Sequence, residues 1–309
     1  MNVLVSGGSG YIGSFVVSEL LKSGHKVDII ARQENDFTLN FKDKIEVYYG
    51  DITEPFNFSP NKEYNLFIHL AAANDIDSSD ASYALNASTL GTRYVLDFCK
   101  KNNIKKFIYY STFQVYGYVE GKMNEASPLL PGNDYGITHL FAEQYVQMYQ
   151  RTASIDFLII RPTNIYGAPM FKTTDRWTLV PSCFCKEAIE KGEINLMSSG
   201  LQTRDFVDVN DIAKITVSYC ENFEKHKNSI VNVSSGNEYS IIEIANMVGE
   251  VYQELYNKTC KINVHSNLPK EKNIFTLVRN EVIKSNFKFV THEKIKSEIK
   301  TIFNILNKN

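Results

Sequence analysis

The sequence predicts an α/β fold of the doubly wound kind, a parallel sheet with helices on both faces, joined by a smaller, interleaved C-terminal lobe. Three observations carry that prediction. Short β-branched runs alternate with longer stretches at helical spacing through the first half of the chain. Those short runs are almost continuously apolar, as strands are when both sheet faces are covered. The first of them leads straight into a glycine-rich segment that opens a helix. The 309 residues, 43% of them hydrophobic and 22% charged, are enough for one large domain or two coupled lobes around a sizeable core.

Taken in order, residues 1–6 form the first predicted strand and 12–23 the first helix. Further strands fall at 27–31, 45–49, 66–70, 107–111 and 157–161, with helices at 86–102 and 135–152. After Arg161-Pro162 the rhythm weakens. A mixed region runs to about Gly200, followed by strand-like segments near 206–209 and 230–233. Helices are expected at 240–256 and over the Lys-rich end. Residues 1–165 and 203–235 are therefore assigned to the sheet domain, and 166–202 and 236–309 to the smaller lobe.

Composition narrows the function classes. A net charge of −2 gives no overall basic field to attract nucleic acid or an anionic membrane. With 16 Gly and 8 Pro the chain is far from a disordered composition. No apolar run approaches the ~20 residues of a bilayer-spanning helix, and the start lacks the basic region of a signal peptide. The five cysteines, Cys99, Cys183, Cys185, Cys220 and Cys260, are scattered, and Cys183/Cys185 have no second pair to close a zinc site. Buried free thiols, no metal and a cytoplasmic location are the expectation.

The first chemical signal is Ser6-Gly7-Gly8-Ser9-Gly10-Tyr11-Ile12-Gly13. Gly8, Gly10 and Gly13 fit G-x-G-x-x-G; Gly7, Gly10 and Gly13 fit G-x-x-G-x-x-G. Small residues are needed where the chain turns off the strand and where backbone N–H groups approach a pyrophosphate, and the last glycine lets helix and strand pack closely. The helix N-terminus then faces the anion. Placed between a strand and a helix, this segment predicts a Rossmann-type dinucleotide site. The second strand ends in Ala31-Arg32, with Asp28 in mid-strand, where it points into packing and not over the tip. Arg32 suits a 2′-phosphate, which favours NADP(H), with NAD(H) as the alternative.

Further signals lie past later strand ends, where ligands of open α/β sheets bind. His69-Leu70-Ala71-Ala72-Ala73 supplies small residues, and Tyr110-Ser111-Thr112 supplies hydroxyls. Tyr135-Gly136-Ile137-Thr138-His139 then enters a helix, and its Tyr135 and His139, four apart, share one face. A phenol beside a hydroxyl and an imidazole outlines a proton-transfer site.

With those residues in place, the chain resembles the extended short-chain dehydrogenases/reductases, in particular the NAD(P)-dependent nucleotide-sugar epimerase/dehydratase group. The motifs carrying the resemblance run along nearly the whole chain in order: the Gly7–Gly13 loop, Gly50-Asp51-Ile52, His69 to Ala73, Asn86 with Gly91-Thr92, Ser111-Thr112 with Val115-Tyr116-Gly117, Tyr135-Gly136, Arg161 to Gly167, and Arg204 to Asp211. The resemblance implies that Asp51 and Ile52 hold the adenine, and that Ala71 and Ala72 line the cofactor with Ser111 nearby. It also implies that Thr112 orients the substrate oxygen, that Tyr135 is the acid/base, and that Asn164 and Arg204 contact the nucleotide diphosphate, an arginine fork matching phosphate oxygens.

Two departures from that pattern bear on chemistry. His139 stands where the group has a lysine that binds the nicotinamide ribose and lowers the tyrosine pKa. An imidazole titrating near pH ~6.5 would bond the ribose while neutral and help Tyr135 less as pH rises. Phe113 and Gln114 stand where 4,6-dehydratases carry Asp-Glu; neither transfers a proton, which argues against a dehydratase. The main expectation is an NADPH-dependent reductase of a nucleotide-linked 4-keto-sugar, in polysaccharide biosynthesis. A nucleotide-sugar 4-epimerase with tightly held NAD(P) is the alternative, and a non-catalytic dinucleotide-binding protein the third reading. Lys270, Lys272 and Arg279 read as solvated charges. Relatives in the group dimerise through helices corresponding to 86–102 and 135–152, and Phe141, Tyr145 and Met148 give the latter an apolar stripe, so a homodimer is expected.

Overall fold

The structure, a computed structural model, describes residues 1–117, 121–264, 276–278 and 292–307. It gathers into two compact units. The first takes the chain up to position 117, then Ser127–Pro162 and Ile212–Asn232; the second takes Thr163–Asp211, 121–126 and the described residues from Val233 onward.

The first unit is built on a seven-stranded sheet. Its strands in chain order are β1 (Asn2–Ser6), β2 (Lys26–Ala31), β3 (Val47–Tyr49), β4 (Leu66–His69), β5 (Lys106–Tyr110), β6 (Asp156–Pro162) and β7 (Ser229–Val233). Their order across the sheet is β7-β6-β5-β4-β1-β2-β3, and every pair from β6 to β3 is parallel. Connections reverse direction between β1 and β4, so the crevice beyond their carboxyl ends is the topological switch point where such sheets bind ligands. Two segments meet there: the glycine loop after β1 and Ala71 to Ala73 after β4.

Three helices matter for that crevice. α1 (Tyr11–Lys22) follows the glycine loop with Gly10 as its N-cap and no side-chain cap. α2 (Gly91–Lys101) is preceded by a single α turn at Ala81–Ala84 and a π-helical stretch at Leu85–Leu90. The predicted helix at 86–102 thus begins earlier and carries a wider turn, a feature that often marks functional sites. α3 (Asp134–Ala153) is capped by Asn133, whose side chain accepts from the Gly136 amide at 2.8 Å. Its buried face meets α2 and the sheet through Ala142, Val146 and Tyr149, against Phe67, Val95, Phe107 and Tyr109.

The second unit has its own core, where Cys185, Ile194, Ile244, Val248, Ile299 and Phe303 are all fully buried. A three-stranded sheet orders Glu238–Ser240, Thr203–Asp208 and Asn164–Tyr166. The expectation that 203–211 would join the sheet domain is corrected here. Thr203–Asp208 pairs with Asn164–Tyr166 and Glu238–Ser240, not with the seven-stranded sheet, and only the 230–233 segment joins that sheet, as β7. Helix Val180–Lys191, strand Glu193–Leu196 and strand Lys261–Val264 occupy parts of the chain that gave no clear pattern. Lys270, Lys272 and Arg279 lie outside the described residues. Among the described residues, no helix is long and apolar enough to cross a membrane. Cys99, Cys185, Cys220 and Cys260 are buried and Cys183 is half-buried, all as free thiols.

Candidate active site

The glycine loop is shaped by contacts that only glycine allows. Gly7 adopts φ +72°, and a Cβ there would lie 2.7 Å from the Ala71 nitrogen. A Cβ on Gly13 would fall 2.0 Å from the Gly7 carbonyl oxygen. The Gly10 amide donates to that same carbonyl at 3.0 Å, and Ser14 N donates to Gly10 at 2.9 Å. The loop therefore lies flat against the end of β4, next to the N-terminus of α1, which carries no side-chain cap. Tyr11 is buried and Ile12 half-buried just inside the helix. Ser9, Gly10, Arg32, Gln33, Asn35 and Asp51 line a cavity of ≈ 510 Å³ beside it.

Charge in that cavity follows from strand geometry. Asp28 is turned inward, accepting from the Tyr64 hydroxyl at 2.6 Å and the Glu46 amide at 2.8 Å, with Lys62 Nζ at 2.6 Å. It is unavailable to a ribose, as its mid-strand position predicts. Arg32 is exposed at the tip of β2. One oxygen of Asp51 accepts from the Thr53 amide and hydroxyl, both at 2.9 Å, which fixes the turn and the carboxylate on the cavity wall. Ile52 packs against Ala73, Ala84 and Ala87. Ala71 and Ala72 remain half-buried.

The loop carrying Thr112 and the start of α3 are locked together. Thr112 is buried and caps a short 3-10 turn, Phe113–Val115, by accepting from Gln114 N at 3.2 Å. Asn133 donates to the Gln114 side-chain carbonyl at 2.8 Å. A Cβ on Gly136 would sit 2.6 Å from the Gln114 carbonyl oxygen, so the helix start can approach this closely only with glycine there. Tyr135, half-buried in the first turn of α3, thus has its backbone fixed against the Thr112 loop.

Beneath them, the buried face of α3 meets the end of β5 through two polar pairs. The Ser111 hydroxyl donates to Glu143 Oε1 at 2.5 Å, and Tyr109 Oη lies 2.7 Å from His139 Nδ1. Glu143 also takes Arg161 Nε at 2.8 Å and Nη2 at 2.5 Å, and both partners are fully buried. Burial alone would lower the guanidinium, but the hydrogen bonds and charge of Glu143 outweigh it and hold it above its ordinary value. Arg161 Nη1 donates to the Tyr116 hydroxyl, which donates to Asn232, at 2.8 and 2.7 Å. Ser111, expected beside the cofactor, has its hydroxyl hydrogen directed into this ion pair instead.

His139 also departs from expectation. It is 3% exposed, and burial pushes its pKa down to about 4, so the imidazole is neutral throughout the neutral range and does not titrate near pH ~6.5. It supplies no cation to Tyr135, although the two rings stand edge to face at 4.7 Å. His69 behind it is pushed down to about 3 by burial, then by His139. Ser6 Oγ sits 2.6 Å from His69 Nδ1, and His69 Nε2 sits 3.1 Å from Thr92 Oγ1, whose own hydrogen goes to the Ser88 carbonyl at 2.6 Å. Among the described residues, His139 Nε2 is buried and has no hydrogen-bond partner.

Asn164 and Arg204 belong to the second unit. Asn164 donates its amide to the Asp205 carbonyl at 3.0 Å, leaving its own carbonyl to accept. Arg204 is exposed, and Asp205, on the opposite strand face, is buried under Thr163, Ser235 and Gly236. The first unit alone thus brings together the glycine loop, Arg32, Asp51, Ala71, Thr112, Tyr135 and His139. Sequence reasoning missed Tyr109, Glu143 and the lock between Asn133 and Gln114, and it read Arg161 only as part of a motif. A carboxylate at the buried spacing of α3 and an arginine inside an apolar strand were the available signals.

The model of the NAD dependent epimerase/dehydratase family matches residues 3–234. A "Putative UDP-glucose 4-epimerase" of Methanocaldococcus jannaschii is 30% identical over 258 residues, covering 80% of this chain and 81% of that protein. The dTDP-D-glucose 4,6-dehydratase of Dictyostelium discoideum is 28% identical over 236 residues, covering 68% of this chain and 53% of that protein. The crystal structure of UDP-glucuronic acid 4-epimerase from Bacillus cereus in complex with NAD superposes with a TM-score of 0.81 at 22% identity, covering 99% of this chain and 98% of that one, a likeness of fold.

Proposed function

This chain belongs to the NAD dependent epimerase/dehydratase family, and from that premise we propose that it is a nucleotide-sugar 4-epimerase acting on a UDP-linked hexose. The observation that carries the proposal is the lock that fixes the Thr112 loop against the first turn of α3, where Tyr135 stands. Phe113 and Gln114 follow Thr112, so no acid and base are present there for eliminating water, and a dehydratase is disfavoured. The relative with an epimerase's name matches over most of both chains, which moves the reading from the reductase expected from the sequence to the epimerase.

The residues present fit a nicotinamide dinucleotide. The glycine loop and α1 N-terminus would hold its pyrophosphate, Arg32 and Asp51 its adenosine end, Ala71 and Ala72 its flank, and His139 its nicotinamide ribose. Bound there, it would supply reversible hydride exchange with the sugar C4. Tyr135 takes the C4 hydroxyl proton as the carbonyl forms and gives it back as the alcohol reforms. Thr112 holds that oxygen in line by hydrogen bonding. Asn164, through its open carbonyl, and Arg204, through its guanidinium, are proposed to contact the nucleotide diphosphate.

A second reading, an NADPH-dependent 4-keto-sugar reductase, is favoured by one observation: the end of β2 carries exposed Arg32, and the nearby acid, Asp28, is tied up internally. Incubation with UDP-glucose and NAD, followed by NMR of the C4 proton, separates the two. C4 inversion without net change in cofactor supports the epimerase. Stoichiometric NADPH loss with a 4-keto nucleotide sugar and no inversion replaces it with the reductase. The α3 stripe, with Phe141 exposed and Tyr145 and Met148 half-buried, supports a homodimer, which light scattering at micromolar concentration tests; a monomer there rejects it.

A further inference from the structure

We propose that Tyr109 fixes His139 as the neutral tautomer protonated on Nε2, so that this position serves as an uncharged hydrogen-bond donor for a hydroxyl group, the nicotinamide ribose of the proposed cofactor being its acceptor. The proposal extends the functional reading given above, since the ribose is part of that reading, but the tautomer stands on the protein alone.

Three observations carry it. Tyr109 Oη lies 2.7 Å from Nδ1 of His139, and both side chains are buried. Among the described residues Nδ1 is the one hydrogen-bond partner of the buried Tyr109 hydroxyl, so the phenol hydrogen is satisfied only by pointing at Nδ1. A neutral imidazole carries one N–H. With Nδ1 accepting, the hydrogen is on Nε2, the atom left without a partner. A buried N–H without an acceptor is costly, and its presence in a folded protein calls for an explanation, which a bound acceptor would supply.

The groups facing the pair keep this arrangement neutral. From α3 these are Tyr135 and Glu143; from β5, Tyr109; from β4, His69; from α2, Thr92. Glu143 is the one charged group among them, and it is neutralised by Arg161. Burial, then the charge of Glu143, holds the Tyr109 phenol well above its ordinary value, so it remains a donor. The His69 hydrogen bonds resolve in the same sense. Thr92 gives its hydrogen to the Ser88 carbonyl, so it accepts from His69 Nε2–H, and His69 Nδ1 accepts from Ser6. Tyr109 is therefore a positioning residue, and His139 is the group that touches the ligand.

Long-range proton–nitrogen NMR of the protein with nitrogen-15 histidines, without added nucleotide, reads the tautomer directly. The expected pattern is unprotonated Nδ1 and protonated Nε2 on His139 between about pH 5.5 and 8. In Tyr109→Phe that preference is expected to collapse toward a mixture. An Nδ1–H tautomer or an imidazolium at neutral pH overturns the proposal, even where the protein proves to be an epimerase. A second pair of variants covers the case in which Tyr109→Phe does not fold. His139→Phe removes the donor and is expected to weaken binding of reduced nicotinamide dinucleotide, followed by its fluorescence, about tenfold, whereas His139→Gln, which keeps an N–H at similar reach, weakens it less than about threefold. Equal losses in the two variants also overturn it. If the wild type binds no nucleotide while the NMR pattern holds, the functional reading fails and the tautomer assignment stands.

Discussion

Two polar pairs join the same stretch of α3 to the same end of β5, and they differ in what they leave open. Glu143 takes the Ser111 hydroxyl and the Arg161 fork, and the fork's remaining bond runs through Tyr116 to Asn232. His139, one helical turn earlier, takes only Tyr109 and leaves Nε2 unmatched. The first pair is charged and saturated and can only hold the fold. The second is neutral and has one valence free, in the turn that follows Tyr135. Saturation marks a scaffold; the unmatched Nε2, beside the Tyr135 proposed as the acid/base, is where we propose a ligand is met.

The largest expected effect breaks the scaffold half. Arg161→Met leaves Glu143 buried without its partner and should lower unfolding stability by about 3–5 kcal/mol in a urea titration. A loss under about 1 kcal/mol would mean that water reaches the pair and that it is no scaffold. Next in size is the response to acid. His139 and His69 are held below the value of an unfolded histidine, so the unfolded chain binds the protons first as pH falls. Their stability is fully present above pH ~6.5 and is lost as pH falls through about 4 for His139 and about 3 for His69. At about 1.4 kcal/mol per unit, His139 alone accounts for on the order of 3 kcal/mol. Urea midpoints measured from pH 7 down to 4 should fall steadily, and less steeply in His139→Gln; equal slopes would mean that the imidazole is solvated. The smallest effect sharpens the other half. His139→Lys places a cation beside Tyr135, which favours the phenolate, and should move the acidic limb of the kcat–pH profile down by about one unit. An unmoved limb would show that Tyr135 does not respond to charge at this position.

The same contrast explains what could be read from the sequence. β1, the glycine loop and α1 are set by adjacent residues, so strand pattern, glycine spacing and helix start all fall within one short segment. Asp28 likewise announces its inward turn by standing mid-strand. The Tyr109–His139 pair spans 30 positions and Glu143–Arg161 spans 18. Nothing local in Tyr109 distinguishes a core tyrosine from one that fixes an imidazole. The sequence treats His139 as a solvated imidazole, and only burial, a property of the assembled core, corrects its charge. Thr203–Asp208 is strand-like in pattern, but its choice of Asn164–Tyr166 as a partner is a tertiary matter that strand pattern leaves open. The π-helical stretch at Leu85–Leu90 has no local signature either; it forms where Ser88 accepts from Ala73 N and Thr89 bonds the Thr138 carbonyl, so distant segments shape it.

The proposed role of Tyr135 meets its test most directly in one assay. Wild-type protein and Tyr135→Phe are each mixed with UDP-glucose and NAD, and the C4 proton of the sugar is followed by NMR. Wild type is expected to build up the C4 epimer, and the phenylalanine variant to do so at least about 100-fold more slowly with unchanged folding. Inversion at an undiminished rate without the phenol would contradict the assignment, as would no inversion by a wild-type protein that has bound both molecules.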